Sequence, residues 1–170
     1  MWRNWFTEHN TLVYFCEPAS IKELFRHKVD TYTNLGFFFL GVLVFAYGKL
    51  DQKMNNPQTG FAVIHPSWSI WFGLALISTF VGSTFFHASL TWWGEIFDLI
   101  GVYAAALLPG FFNLHRIQSL KKQKRLPARA FLVAWALFWL LSSLLIFTVS
   151  SRVVMGGSML LIGATGFYLF

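Results

Sequence analysis

The chain has 170 residues, 56% hydrophobic and only 12% charged, with a mean hydropathy of +0.55. A soluble domain carries about a quarter charged residues, so this composition excludes a cytosolic enzyme and a disordered chain, and the single cysteine excludes a disulfide scaffold. What remains is an integral membrane protein, in which roughly 30 to 35 residues per crossing and connector leave room for about five spans.

The first 30 residues are polar and rich in aromatics (Trp2, Trp5, Phe6, Tyr14, Phe15). They lack the apolar stretch of a signal peptide, and they read as a segment lying along the membrane interface. Apolar runs follow at about 31–48, 68–90, 96–114, 130–150 and 153–170. Hydrocarbon offers no partner to free backbone groups, so each run is expected to be a helix. The fold expected is all-α, a polytopic transmembrane helix bundle in one domain over residues 31–170. Pro109 is expected to kink the third span. Gly156, Gly157, Gly163 and Gly166 in the fifth suggest close helix packing, within the bundle or between copies of the chain in a homo-oligomer.

Charge gives an orientation. All seven acids lie at or before Asp98, whereas six of the thirteen bases fall in one acid-free connector, Arg116 to Arg129. Such loops stay on the cytoplasmic side. The amino terminus and the TWWGE connector (residues 91–95) are then outside or lumenal, and Lys49 and Lys53 inside. A short basic loop between two spans points to anionic lipid headgroups as its partner, not to nucleic acid.

Ionisable groups within spans are costly and hence candidates for function. His87 closes the second span and Asp98 opens the third, with Ser83 one turn before His87 on the same helix face. A short turn between the spans would bring all three to one depth. Two chemistries fit. Ser83 can be a nucleophile with His87 as its base and Asp98 as the orienter; alternatively His87 ligates a metal, Asp98 holds and deprotonates water, and Ser83 assists at the oxyanion. A hydrogen-bonded lock between helices, in a protein without catalysis, fits the same residues. His9 and His27 lie on the same side as His87 and read as solvated interfacial histidines. His65 reads as solvated in the inner connector, and His115 lies about 25 Å along the third helix from Asp98.

The string GSTFFHASLTWWGEIFDLIGVY (Gly82 to Tyr103) resembles the Ser-xxx-His…Asp signature of alkaline ceramidases, in the superfamily of seven-helix membrane hydrolases that includes the adiponectin and progestin receptors. Upstream, FCEP (Phe15 to Pro18) and DTYTNLGFFFLG (Asp30 to Gly41) are similar to that family's amino-terminal pattern. The resemblance implies a zinc-dependent amidase cleaving ceramide or a related N-acyl lipid that enters from the bilayer. It implies His87 as a zinc ligand, Asp98 as the hydrogen-bond partner of the zinc-bound water and Ser83 as oxyanion stabiliser. The family's other two zinc ligands come from a His-xxx-His pair in its last helix. This sequence has no such pair and ends in the fifth apolar run, so the resemblance implies a shortened chain with an incomplete zinc site. Glu17 matches one calcium ligand of animal members. Tyr14, Phe15 and Ala19 stand where that site has acids and amides, and beside Pro18 the carboxylate reads equally as an ordinary interfacial one.

Overall fold

The computed structural model describes residues 25–54, 60–121, 127–147 and 151–169. Every regular element among them is a helix: α1 (Lys28–Thr33), α2 (Leu35–Met54), α3 (Phe61–Ile64), α4 (Ser67–Ser89), α5 (Trp92–Leu120), α6 (Ala128–Leu144), a 3-10 turn (Leu145–Phe147) and α7 (Ser151–Leu169). Lys28–Met54, Ser67–Ser89, Trp92–Leu120 and Ser151–Leu169 are each long and apolar enough to cross a membrane. The protein is thus a multi-pass membrane helix bundle. Its outward faces carry large apolar side chains, with Leu160 76% and Phe167 88% exposed, a surface suited to lipid and not to water.

Two expected boundaries move. The fourth span was expected at 130–150, yet its α-helix ends at Leu144 after 17 residues. The 3-10 turn that follows rises more steeply per residue, and helix and turn together reach about 31 Å, the thickness of the hydrocarbon core. The third span begins at Trp92, not at 96. The Thr91 side chain accepts a hydrogen bond from the Gly94 backbone at 3.2 Å and so caps the helix. Trp92, Trp93, Gly94 and Glu95 therefore form the first turn of α5, and the connector shrinks to Leu90 and Thr91.

Leu90 makes that short reversal possible. It sits in the left-handed region at φ 46° and ψ 43°, and its N–H bonds the Phe86 carbonyl at 2.6 Å. A non-glycine residue there costs about 1–2 kcal/mol. The Leu90 side chain is 1% exposed, and burying a leucine returns about 1.5–3 kcal/mol, so the turn stands.

Helix α4 packs against α2 on one side and α5 on the other, and α5 also carries α6 and α7. Glycines set both of the α4 contacts. A Cβ on Gly73 would lie 2.6 Å from the Phe45 nitrogen, one on Gly82 2.3 Å from the Phe97 carbonyl oxygen, and one on Gly101 2.7 Å from the Thr79 Cα. Close backbone approach of this kind drives helix association where lipid removes the hydrophobic incentive. The four glycines of α7 do not set a contact within the bundle: a Cβ at Gly156, Gly157, Gly163 or Gly166 would meet nothing within 4 Å among the described residues, which leaves the packing between copies of the chain untouched. Within the bundle α7 meets α5 through Leu161, which packs over Gly110, and through an Asn113 to Thr165 hydrogen bond of 3.2 Å.

The core joins α4, α5 and α6 through Trp68, Ala75, Tyr103, Ala104, Leu107 and Trp135. Far from His87, the Trp68 indole N–H donates to His115 Nδ1 at 3.2 Å, with both residues buried. An indole can only donate, so His115 must be neutral with its proton on Nε2. The His65 ring lies 4.7 Å from that of His115 and is half-buried, not solvated as its place in a connector suggested. Burial lowers its pKa below the usual histidine value. Trp68→Phe is expected to cost about 1–3 kcal/mol in a thermal melt in detergent, because it leaves His115 Nδ1 buried without its donor.

Candidate metal centre and the adjoining carboxylate

The last two turns of α4 and the first turns of α5 run antiparallel, and they carry Ser83, His87 and Asp98. The structure brings Ser83 and Asp98 together, with the Ser83 hydroxyl donating to the Asp98 carboxylate. The other carboxylate oxygen, Asp98 Oδ1, is buried and accepts no hydrogen bond. The close approach of Gly82 to Phe97 and to the Asp98 nitrogen fixes this pairing. A buried carboxylate oxygen without a donor is uncommon in a folded protein, and it calls for an explanation.

His87 finds other partners, from a segment the sequence reading had set aside. Residues 26 and 27 lie along the end of α4: the Arg26 N–H donates to the Ala88 carbonyl at 3.1 Å, and the His27 N–H to the His87 carbonyl at 3.0 Å. His27 then caps α1. Its carbonyl accepts from the Thr31 N–H at 3.1 Å and from the Thr31 hydroxyl. Fixed through its own N–H and its carbonyl, His27 is fully buried, which corrects the expectation that it is a solvated interfacial histidine. One turn on, Asp30 projects from α1 toward both imidazoles. Asp30 Oδ2 lies 3.5 Å from His27 Nδ1 and 3.6 Å from His87 Nδ1, and the two rings are 5.8 Å apart.

His27, Asp30 and His87 thus place one ligand atom each within 4.8 Å of one another, a group that can hold a metal ion. His87 is mostly buried, whereas the Asp30 side chain is 37% exposed, so the group opens on the Asp30 side. Burial pulls the neighbouring Arg26 guanidinium below its usual pKa, though arginine stays charged at any physiological pH. Asp98 is not among these three. The expected cluster of Ser83, His87 and Asp98 therefore appears as two adjoining groups, Ser83–Asp98 and His27–Asp30–His87, linked by the single turn from Ser83 to His87.

A cavity of about 680 Å3 lies between α4, α5 and α6; Ser83 and Asp98 do not line it, but their chain neighbours Gly82 and Phe97 do. Its lining includes Gly82, Phe85 and Phe97, next to the polar pair, and Trp71, Trp135 and Trp139 farther along. Trp139 Nε1 donates to the Ile100 carbonyl at 2.9 Å and Trp135 Nε1 to the Ala104 carbonyl at 3.2 Å. With their indole N–H groups so engaged, the two rings offer the cavity only apolar surface.

Glu17 and the FCEP motif lie outside the described residues, as does most of the interfacial segment. The spacing that sequence reasoning passed over is His27-x-x-Asp30, one helical turn that begins just ahead of the first span. It was available in the sequence, but nothing in sequence order links it to His87, sixty residues away.

No family model matches this chain, and no curated protein and no solved structure matches it.

Proposed function

We propose that this protein is a membrane-embedded, zinc-dependent hydrolase that cleaves the amide bond of ceramide or a related N-acyl lipid. The observation that carries this reading is a metal-capable His/Asp/His group whose His87 lies one helical turn from Ser83, the partner of a buried carboxylate with an unfilled oxygen. A zinc ion there supplies Lewis acidity and makes water acidic near neutral pH, with a pKa of about 7. Asp98 Oδ1, buried and accepting no hydrogen bond on a carboxylate held by Ser83, would serve as the base for such a water. The Ser83 hydroxyl can turn from Asp98 to the substrate carbonyl oxygen as charge develops there. Water adds across the C–N bond, the carbonyl carbon leaves as a fatty acid, and the nitrogen takes a proton and leaves as an amine.

The surroundings support an N-acyl lipid as the substrate class. The cavity between α4, α5 and α6 is lined with aromatic and aliphatic side chains, suited to an acyl chain arriving from the bilayer. The resemblance of Gly82–Tyr103 to the ceramidase signature supports the same reading. So does the basic stretch 116–129, which is expected to meet anionic headgroups on the cytoplasmic side. That orientation puts the His87 end of the bundle outside or in the lumen.

The test is release of fatty acid from fluorescent ceramide and from an N-acyl ethanolamine by the purified chain in detergent micelles. Activity is expected with zinc, lost on chelation and regained on adding zinc back. Failure to cleave either lipid with zinc present would sink the hydrolase reading.

A further inference from the structure

The geometry points to His27, Asp30 and His87 as a zinc site with three ligands among the described residues, two of which come from the segment entering the first span. The resemblance alone assigns one zinc ligand in these residues, His87. The structure supplies two different ones.

Three observations carry the inference. The first is spacing. Asp30 Oδ2 stands 3.5 Å from one imidazole nitrogen and 3.6 Å from the other. A charged hydrogen bond between such groups would bring them to about 2.7–2.9 Å. With metal–ligand bonds of about 2.0–2.1 Å, two ligands on a tetrahedral zinc are about 3.3 Å apart. Adjacent ligands on an octahedral ion at similar bond lengths are nearer, at roughly 3.0 Å. Both separations are longer than a direct hydrogen bond, and the three ligand atoms together lie within 4.8 Å of one another, a span that one ion can bridge.

The second observation is chemical. Two imidazoles and one carboxylate are a donor set found on catalytic zinc, and three protein ligands leave the fourth position open. Asp30, the most exposed of the three, marks the side from which water reaches that position.

The third observation is that His27 is held for the task. Its N–H bonds the carbonyl of His87 itself, and its carbonyl is bonded by Thr31. The backbone of one ligand is therefore fixed directly to the backbone of another, while Asp30 follows one turn later on α1. Segment 26–30 and the end of α4 share both backbone hydrogen bonds and the ion, so metal binding and docking of this segment are linked.

This inference deepens the reading of the site as that of a zinc hydrolase, and the experiment separates the two. The full chain, purified in detergent and stripped with a chelator, is titrated with Co2+ while the visible d–d bands are recorded; bound zinc is measured by elemental analysis. One equivalent of cobalt is expected, with the intense bands of a four-coordinate site. His27→Ala, Asp30→Asn and His87→Ala are each expected to weaken binding by at least about 100-fold, beyond the 10- to 100-fold typical of losing a mere supporting residue. Circular dichroism and gel filtration of the metal-free variants report folding. If His27→Ala does not fold, Asp30→Asn carries the test, since that change is isosteric and at a partly exposed position. No binding to the unaltered chain would overturn the inference. So would binding lost in His87→Ala but kept in Asp30→Asn, or weak octahedral bands at full occupancy. One equivalent of tetrahedral cobalt with no cleavage of any N-acyl lipid would leave this site standing and remove only the hydrolase reading.

Discussion

Replacing Gly82 with leucine is expected to break the bundle where it is tightest. Even a methyl group there would lie 2.3 Å from the Phe97 carbonyl oxygen and 2.6 Å from its carbon. Both are backbone atoms of α5 and have no rotamer to move into, so the helices would have to separate by more than an ångström. Overpacking usually costs about 1–3 kcal/mol when side chains can give way; here the cost is expected to exceed about 3 kcal/mol. The readout is loss of the monodisperse gel-filtration peak in detergent, or a large fall in the thermal midpoint. Gly163→Leu is the matched control. A Cβ at Gly163 meets nothing, and leucine is the better helix former by somewhat under 1 kcal/mol, so the midpoint should hold or rise slightly. Equal damage from the two substitutions would mean that α4 and α5 do not approach as described.

The same contact explains what could and could not be read from the sequence. The spans were legible because their signal is local: about 20 apolar residues in a row need no knowledge of neighbours. The start of α5 was missed for a local reason as well. Trp92, Trp93 and Glu95 look like interfacial loop residues, and the capping by Thr91 that turns them into helix was passed over. Ser83 and His87 on one face of α4 also followed from spacing alone. Asp98 as a neighbour of Ser83 followed as well, but the partners of His87 did not. Whether Asp98 meets Ser83 or His87 depends on the register between α4 and α5, which the Gly82 and Gly101 contacts set and a hydrophobic pattern does not encode. His27 was harder still. A histidine ahead of a span looks solvated until the chain is seen to fold back on the end of α4, through the backbone bonds at Arg26 and His27. Backbone bonds of that kind leave no trace in composition.

Asp98→Asn and Asp98→Leu are expected to show whether the Ser83–Asp98 pair serves chemistry or merely holds two helices together. Under the proposed function, Asp98 takes a proton during the reaction. Removing a general base typically lowers rates by about 10² to 10⁴, so kcat should fall by that factor in both variants while KM changes little. Zinc or cobalt stoichiometry should stay at its unaltered value, since Asp98 lies outside the His27–Asp30–His87 group. Stability supplies the second readout. A carboxylate within a spanning helix is costly to insert, up to about 2.5–3.5 kcal/mol at the centre, and Asp98, two turns into α5, keeps one buried oxygen with no donor. Its own contribution to folding is therefore unfavourable. Leucine removes that burden, and the freed Ser83 hydroxyl can bond a carbonyl of the preceding turn, as Thr79 bonds Ala75 on the same helix at 2.9 Å. Asp98→Leu should thus melt at or above the unaltered protein while losing its activity, the usual exchange of stability for function at an active site. A structural lock predicts the reverse: a lower midpoint for both Asp98→Leu and Ser83→Ala, and activity lost only in proportion to the unfolded fraction.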